Sequence, residues 1–578
     1  MPWMRRLFGG LASSGLTTGI ALAVLVGVAA GLGAVAFRWL IERFQSLFFD
    51  GGERAFGALG EYYVILLPVI GGLFVGLLIY FLAREAKGHG VPEVMVAVAV
   101  RGGRIRARVA LVKALASSVC IGSGGSVGRE GPIVQIGSAI GSALGQRLRL
   151  PEDWLRTLIA CGAAGGISAT FNAPIAGVIF ALEVILGRFI SRSFGLVVIS
   201  SVVAGVIAHV FLGDKQTFLI PAYELASAWE LPIYIALGIA AGVIAFLFIY
   251  VLYKTEDIFD DWRFPEYLKP ACGGIIIGVI GFHYPHLFGV GYGGVEEALL
   301  GKIAITTLLV LGVLKVIATS ITIGSGGSGG VFAPSLFMGA MFGGAFGEIA
   351  NRLFPNFTAP SGAYALVGMA AVFAGAARAP ITAIIILFEM TRDYNIILPL
   401  MLAVVLSTIV ARRFNHETIY TAKVRRSGVD LRSYEEVDLM RDITVGEAMT
   451  LNFPTVPQSM PVNELMYKLS RSGHHGFPVV DEEGRLTGCV TLSDIESRVT
   501  GEGEGIKVGD IETKSLIVAY PDQSLYDALL KLGAMDVGRI PVVDRDDHTR
   551  LLGILRRHDI IKAYRKKLAE TVDRARGY

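Results

Sequence analysis

The chain has 578 residues, 53% of them hydrophobic and only 17% charged, with a mean hydropathy of +0.58, a balance that excludes an ordinary soluble globule and points to a membrane protein. A formal net charge of +3 provides no basic excess for nucleic acid. The four cysteines, Cys120, Cys161, Cys272 and Cys489, are too scattered for a disulfide framework or a metal site.

From the N-terminus, a basic start (MPWMRR) leads into an apolar run at 16–37 that is too long for a cleavable signal, so a first membrane helix is expected there. Further runs of about twenty apolar residues, the length that crosses a bilayer, lie at 63–82, 233–253, 303–323 and 396–410. Around Gly122, Gly137, Gly162, Pro174, Gly324, Pro334, Gly368 and Pro380 the chain stays apolar but admits no uninterrupted helix. Irregular backbone at membrane depth is tolerated only inside protein or along a polar cavity, and paired interruptions in two halves point to a transport site.

The halves do match. GSGGSVGREGP (122–132) returns as GSGGSGGVFAP (324–334), and a shift of 202 also superposes Gly137 and Gly141 on Gly339 and Gly343. A second pair, FNAPIAGVIFALEVILG and AARAPITAIIILFEMTRD, aligns Pro174 with Pro380 and Glu183 with Glu389. A glycine-rich turn followed by proline in the first turn of a helix leaves backbone N–H groups free at the positive end of the dipole. Two such ends converging from the two halves make an anion site without a lysine at its centre. Only the first copy carries an acid, Glu130, which can occupy the same positive pocket, compete with the anion and leave when protonated.

GREGP (128–132), GVFAP (330–334) and GHGVPE (88–93), with Tyr420 in ETIYTAK, resemble the anion-site motifs of the CLC family of chloride channels and proton-coupled anion exchangers, in the family's order. The resemblance covers roughly residues 16–423. It implies a multi-pass helical fold with duplicated halves of inverted topology and broken helices, in a lipid-embedded homodimer with one chloride pathway per subunit. Glu130 and Tyr420 become outer and inner gates. The anion-binding set becomes His89, Gly128, Arg129, Glu130, Gly131, Gly330, Val331, Phe332, Ala333 and Tyr420. Two positions depart from the family pattern. His89 stands where serine is usual; its N–H can still donate, and its protonation is expected to raise flux as internal pH falls. Val184 replaces the second acid of a paired "EE", leaving Glu130 and Glu183 as proton-path candidates. Valine carries no proton, so a passive channel is narrowly favoured, with proton-coupled exchange as the alternative.

Roughly half of all Lys, Arg, Asp and Glu fall after Thr421, where the chain changes solvent. There GFPVVDEEGRLTGCVTLSDI (476–495) parallels GRIPVVDRDDHTRLLGILRRHDI (538–560), each preceded by a helical stretch, at 462–472 and 524–535. The pattern resembles a pair of CBS modules, which implies a cytosolic regulatory unit with adenine nucleotide as a candidate ligand at Thr491, Asp494 and Asp559. Both aspartates are expected to be helix N-caps. The expected division is a membrane domain at 1–423, a linker at 424–441, modules at 442–500 and 505–567, and a tail at 568–578, in an inner (plasma) membrane with the tail cytoplasmic. No cofactor is required and no enzyme activity is expected. Two bland or rival readings stand beside this one: His89 as a surface capping histidine, and GGSG at 326–329 as a protease motif with Ser328 as nucleophile and His416 as its base. A CBS-gated cation channel lacks the acidic rings it would need.

Overall fold

The computed structural model describes residues 15–187, 191–213, 218, 221, 223, 225–392, 394–429, 440, 443–498, 505–534 and 537–576. It divides into two compact units, Met1–Val429 and Asp430–Tyr578. Most of the expected linker, at 430–439 and 441, lies outside the described residues, as does residue 442 at the expected start of the first module.

The first half of the membrane unit runs α1 (Gly15–Phe56), α2 (Tyr63–Leu82), α3 (Val91–Ala99), α4 (Arg108–Gly122), α5 (Glu130–Arg147), α6 (Glu152–Phe171), α7 (Pro174–Phe180) and α8 (Ser191–Leu212). The second half runs α9 (Leu231–Asp261), α10 (Lys269–His283), α11 (Tyr292–Leu299), α12 (Ile305–Gly324), α13 (Phe332–Leu353), α14 (Ser361–Ala377), α15 (Pro380–Thr391) and α16 (Ile397–Phe414), followed by α17 (Thr421–Arg426). Each helix of the first half has its counterpart eight labels on. Helices α4 and α12 end at Gly122 and Gly324, α5 and α13 begin at Glu130 and Phe332, and α7 and α15 begin at Pro174 and Pro380.

Two apolar runs and three expected interruptions differ from expectation; Gly137, Gly162 and Gly368 lie inside the unbroken helices α5, α6 and α14, where glycine serves close helix crossing rather than a break. Helix α1 continues nineteen residues past 37, because polar residues end the hydropathy run without ending the helix: Arg38 and Glu42 pair one turn apart at 3.1 Å, and the Ser46 hydroxyl donates to Asp50. Ser193–Leu212, not singled out from the sequence, is also long and apolar enough to cross a membrane; its Gly195 and Gly205 do not interrupt it. The crossings of α5 on α6 and of α13 on α14 are backbone-close at paired glycines. A Cβ on Gly137 would fall 2.1 Å from the Gly162 carbonyl, and one on Gly339 2.3 Å from that of Gly368. Small residues at such crossings let helices approach where lipid gives no hydrophobic drive.

The second unit contains α18 (Val445–Ala448), β1 (Val456–Pro457), α19 (Val462–Ser472), β2 (Gly476–Val480), β3 (Leu486–Thr491), α20 (Leu492–Arg498), α21 (Val508–Ile511), α22 (Leu525–Ala534), β4 (Arg539–Val543), β5 (Leu551–Arg556) and α23 (Arg557–Arg576). Strand β2 pairs with β3, and β4 with β5, both antiparallel, with a register shift at the matching places Val479/Val480 and Val542/Val543. The modules exchange edges: Thr450, near the start of the first, bridges Ile554 of the second, while Thr513, near the start of the second, bridges Cys489 of the first. That swap uses backbone groups that each sheet would otherwise leave open, and it makes the two modules one unit. Helix α23 runs into the stretch 568–578 expected as a tail.

Candidate functional site

The two glycine-rich segments touch. The Gly128 N–H donates to the Gly330 carbonyl at 2.8 Å and the Gly330 N–H returns to the Gly128 carbonyl at 2.6 Å, an antiparallel bridge of the kind a two-fold relation generates. The GHGVPE segment joins them: the Gly88 N–H donates to the Gly327 carbonyl at 3.0 Å, and the Gly329 N–H to the Gly88 carbonyl at 3.3 Å. Helices α3, α5 and α13 therefore begin around one buried cluster. His89, Gly128, Glu130, Gly131, Gly330, Val331, Phe332 and Ala333 are all in it and buried, with Arg129 half-buried.

Glu130 belongs to one half and binds the other. Its Oε2 accepts the Ala333 N–H, in the first turn of α13, at 3.3 Å, and its Oε1 accepts the Tyr292 hydroxyl at 2.7 Å. A carboxylate thus sits on a helix N-terminus, where dipole and free amides favour negative charge. Two glycines make room. A Cβ on Gly128 would fall 2.2 Å from Glu130 Oε2, and one on Gly131 would fall 2.2 Å from the His89 carbonyl. Arg129 lies within Coulombic reach of Glu130 and carries its guanidinium 5.2 Å from the centre of the Tyr292 ring.

His89 is 2% exposed, and neither ring nitrogen has a protein partner. That corrects the expectation of a surface capping histidine. An imidazole carries at least one N–H in either charge state, so a buried donor is left without a protein acceptor beside the glycine cluster. Tyr420 is 2% exposed and within Coulombic reach of Glu130. Its segment is pinned from several sides: the Ile419 N–H donates to the Ala376 carbonyl, the Tyr253 hydroxyl donates to the Ile419 carbonyl, and Lys423 pairs with buried Glu256. Ser328 is not paired with a base. Its hydroxyl bonds the Ala86 carbonyl at 2.8 Å and lies 2.9 Å from the Ser117 hydroxyl.

Three features were missed in the sequence. Lys113 and Lys315 are both fully buried and stand 202 apart, the offset of the glycine segments. Lys113 Nζ donates to the Ala86 and Gly88 carbonyls, and Lys315 Nζ to those of Leu287 and Gly289. Extending the alignment upstream of Gly122 finds both. Tyr292, the third, has no motif of its own. The paired glutamates are a reciprocal clasp: Glu183 accepts the Ile381 and Thr382 N–H groups and the Thr382 hydroxyl at the start of α15, while Glu389 accepts the Ile175 and Ala176 N–H groups at the start of α7. Glu183, a proton-path candidate, thus bonds α15 rather than any residue of the glycine cluster; Val184 beside it is buried.

In the second unit, Asp494 and Asp559 are third residues of α20 and α23, not N-caps, because each strand runs straight into its helix. Asp494 accepts the Thr491 N–H and hydroxyl and the Thr513 hydroxyl. Asp559 accepts the Arg556 N–H, two contacts from its guanidinium and the Thr450 hydroxyl. Burial alone would raise the Asp559 carboxyl; the hydrogen bonds and charge of Arg556 overcome this and hold it below its usual range.

Residues 71–412 match the family model described as voltage gated chloride channel, and residues 445–501 and 508–566 match the CBS domain model. The chain belongs to the voltage-gated chloride channel family. It is 35% identical over 419 residues to a ClcB-like protein of Ralstonia nicotianae, covering 71% of this chain and 97% of that one. It is 33% identical over 415 residues to the protein named H(+)/Cl(-) exchange transporter ClcA of Vibrio cholerae, covering 70% and 89%. A crystal structure described as a slow cyanobacterial Cl-/H+ antiporter superposes with a TM-score of 0.65 at 27% identity, covering 71% of this chain and 97% of the other. The protein is a multi-pass membrane protein that transports anions, with a pair of CBS domains, and it is not an enzyme.

Proposed function

We propose that this chain carries chloride along one pathway per subunit of a homodimer, with Glu130 as the outer gate and Tyr420 at the inner end. The observation that carries the reading is the Glu130 carboxylate seated on the Ala333 N–H of the opposite half. An anion needs that same N–H, so acid and chloride exclude each other, and protonating the acid releases the site. Main-chain amides at the starts of α5 and α13 receive the dehydrated ion. Dipoles and N–H groups attract it without the tight ion pair that a central lysine would form. His89 supplies the donor that serine supplies elsewhere in the family.

For the proton we favour passive conduction. Val184 cannot relay a proton, and the neighbouring Glu183 carboxylate is committed to three donors on α15. Coupled exchange is the second reading, favoured by the likeness to the Vibrio cholerae protein named as an exchange transporter. Chloride-loaded vesicles with simultaneous chloride and proton electrodes separate the two. Passive conduction gives chloride efflux with no uphill proton movement, whereas proton pumping against its gradient assigns exchange. Flux that follows potassium and ignores chloride removes both.

The CBS pair is proposed as a regulatory unit on the cytoplasmic side of an inner membrane. An ionised carboxylate offers about four acceptor positions. Asp559 has filled its own with protein donors, while Asp494 retains capacity, so an adenine nucleotide would engage the first module.

A further inference from the structure

Duplication makes the differences between the halves informative. The loops before α3 and α11 are built alike at an offset of 201. Gly88 and Gly90 match Gly289 and Gly291, all four with positive φ (75°, 84°, 59° and 83°). In each half a buried lysine, Lys113 or Lys315, donates to the first of these glycine carbonyls. On this common frame three positions change character together. Arg129 and Glu130 have Val331 and Phe332 as counterparts, and Tyr292 has Val91. The polar trio is spread over both halves of the sequence, yet it meets in space: the Tyr292 hydroxyl lies 2.7 Å from Glu130 Oε1 and the Arg129 guanidinium 5.2 Å from the Tyr292 ring centre. The other trio is wholly apolar. Tyr292 is further fixed by Phe218, packed edge-on with ring centres 5.3 Å apart, and by Lys315, which holds the loop three residues upstream.

We propose that Tyr292 is a positioning residue of the gate: its hydroxyl latches the ionised Glu130 carboxylate in the anion-excluding position. Hydrogen bonds to an ionised acceptor are roughly twice as strong as neutral ones, so protonating Glu130 weakens the latch at the moment the acid loses its claim on the Ala333 N–H. Latch and acid release together. Among the described residues, the charged and titratable groups near enough to interact electrostatically with Glu130 are Arg129 on its own turn, Tyr292 at the start of α11, Lys315 on α12 and Tyr420 ahead of α17. Of these, Tyr292 alone hydrogen-bonds the carboxylate with its side chain among the described residues. The proposal rests on Glu130 being the gate.

The test measures chloride flux from vesicles between about pH 4.5 and 8 for Tyr292→Phe, Glu130→Gln and the double variant. Loss of one charge-assisted donor is expected to move the midpoint of acid activation up by about one pH unit, a tenfold lower proton concentration. Flux at pH 7.5 should rise, and the substitution should have no further effect in the Glu130→Gln background. Tyr292→Gln, which keeps a donor, is expected to hold the midpoint near wild type, and Tyr292→Leu, of similar bulk without one, to shift it as Phe does. This second pair decides the matter if Tyr292→Phe does not purify. An unshifted midpoint in Tyr292→Phe or Tyr292→Leu, with pH response abolished by Glu130→Gln, overturns the latch and leaves the gate standing. A pH response that survives Glu130→Gln overturns the gate itself.

Discussion

The reciprocal clasp between α7 and α15 gives the most direct test of what Glu183 is for. Glu389 holds the Ile175 N–H at 3.0 Å and the Ala176 N–H at 2.6 Å; Glu183 holds the Ile381 N–H at 3.2 Å, the Thr382 N–H at 2.8 Å and the Thr382 hydroxyl at 2.6 Å. Each carboxylate also faces the positive end of a helix dipole. A hydrogen bond to a charged group contributes about 1.5–3 kcal/mol, and loss of a helix cap costs about 0.5–2 kcal/mol. Two or three such bonds overlap with the cap and are not additive, so truncation at either site should cost about 2–4 kcal/mol. Water cannot fully rescue amides freed at membrane depth. Glu183→Ala and Glu389→Ala should therefore lower the apparent melting temperature in detergent by similar amounts, several degrees each. Flux per folded molecule and proton movement should respond alike in the two variants. Glu183→Ala that melts like wild type would refute the clasp as the role of Glu183, and Glu183→Ala that stops proton movement while Glu389→Ala does not would make Glu183 a proton carrier.

Two glycines of the cluster should fail differently. At Gly128 a new Cβ meets the movable end of Glu130, so Gly128→Ala should fold and conduct with a weakened gate; at Gly131 it meets the His89 backbone carbonyl, so Gly131→Ala should lose folded protein, as size-exclusion yield and vesicle flux will register. In the second unit, Asp559 is depressed by Arg556 against the effect of burial. A carboxylate of that kind contributes its stability above its unfolded value, about 4, and loses it as pH falls through the lower folded value. Hydrogen exchange in full-length protein should show peptides around β4, β5 and the start of α23 loosening as pH drops toward 3, with a flatter response in Asp559→Asn. Equal responses would place the acid sensitivity elsewhere.

Much of the site was legible because its backbone requirements are written in residue type. Glycine before a helix start and proline inside its first turn are local constraints, and their recurrence at a fixed offset located the starts of α5 and α13 and led to the expectation that they converge. Glu130 was visible as an acid where its counterpart is phenylalanine. Tyr292 was not, because its meaning comes from a partner 162 residues away and a tyrosine near a membrane edge is ordinary. The buried lysines were hidden for a related reason. Lysine in an apolar run reads as an interruption until the carbonyls it binds, on another loop, are known. Hydropathy also misplaced the end of α1, since intrahelical side-chain bonding sustains a helix that is no longer apolar. The aspartates of the CBS modules were put one turn too early because the sequence does not tell where a strand stops when a helix follows without a loop.

The clasp and the gate use the same physical device for opposite ends. At α7 and α15 each carboxylate crosses to the other half and caps a helix start, and because both halves do it the result is symmetric and fixed. At α5 and α13 only one half supplies the carboxylate, and the other supplies Phe332. A symmetric pair would fill both helix ends and leave no amide for an anion. A single acid holds the start of α13 with a side chain that can be neutralised, and no second carboxylate competes for the amides. The duplicated frame supplies two helix starts in contact, and on the proposed mechanism transport depends on only one of them carrying an acid. Putting a carboxylate at the second position, as Phe332→Glu, should therefore make a tighter, less conductive protein at neutral pH, with flux recovered on acidification in vesicles. A Phe332→Glu protein that conducts chloride at pH 7.5 as fast as wild type would show that an acid at the second position does not compete with the anion.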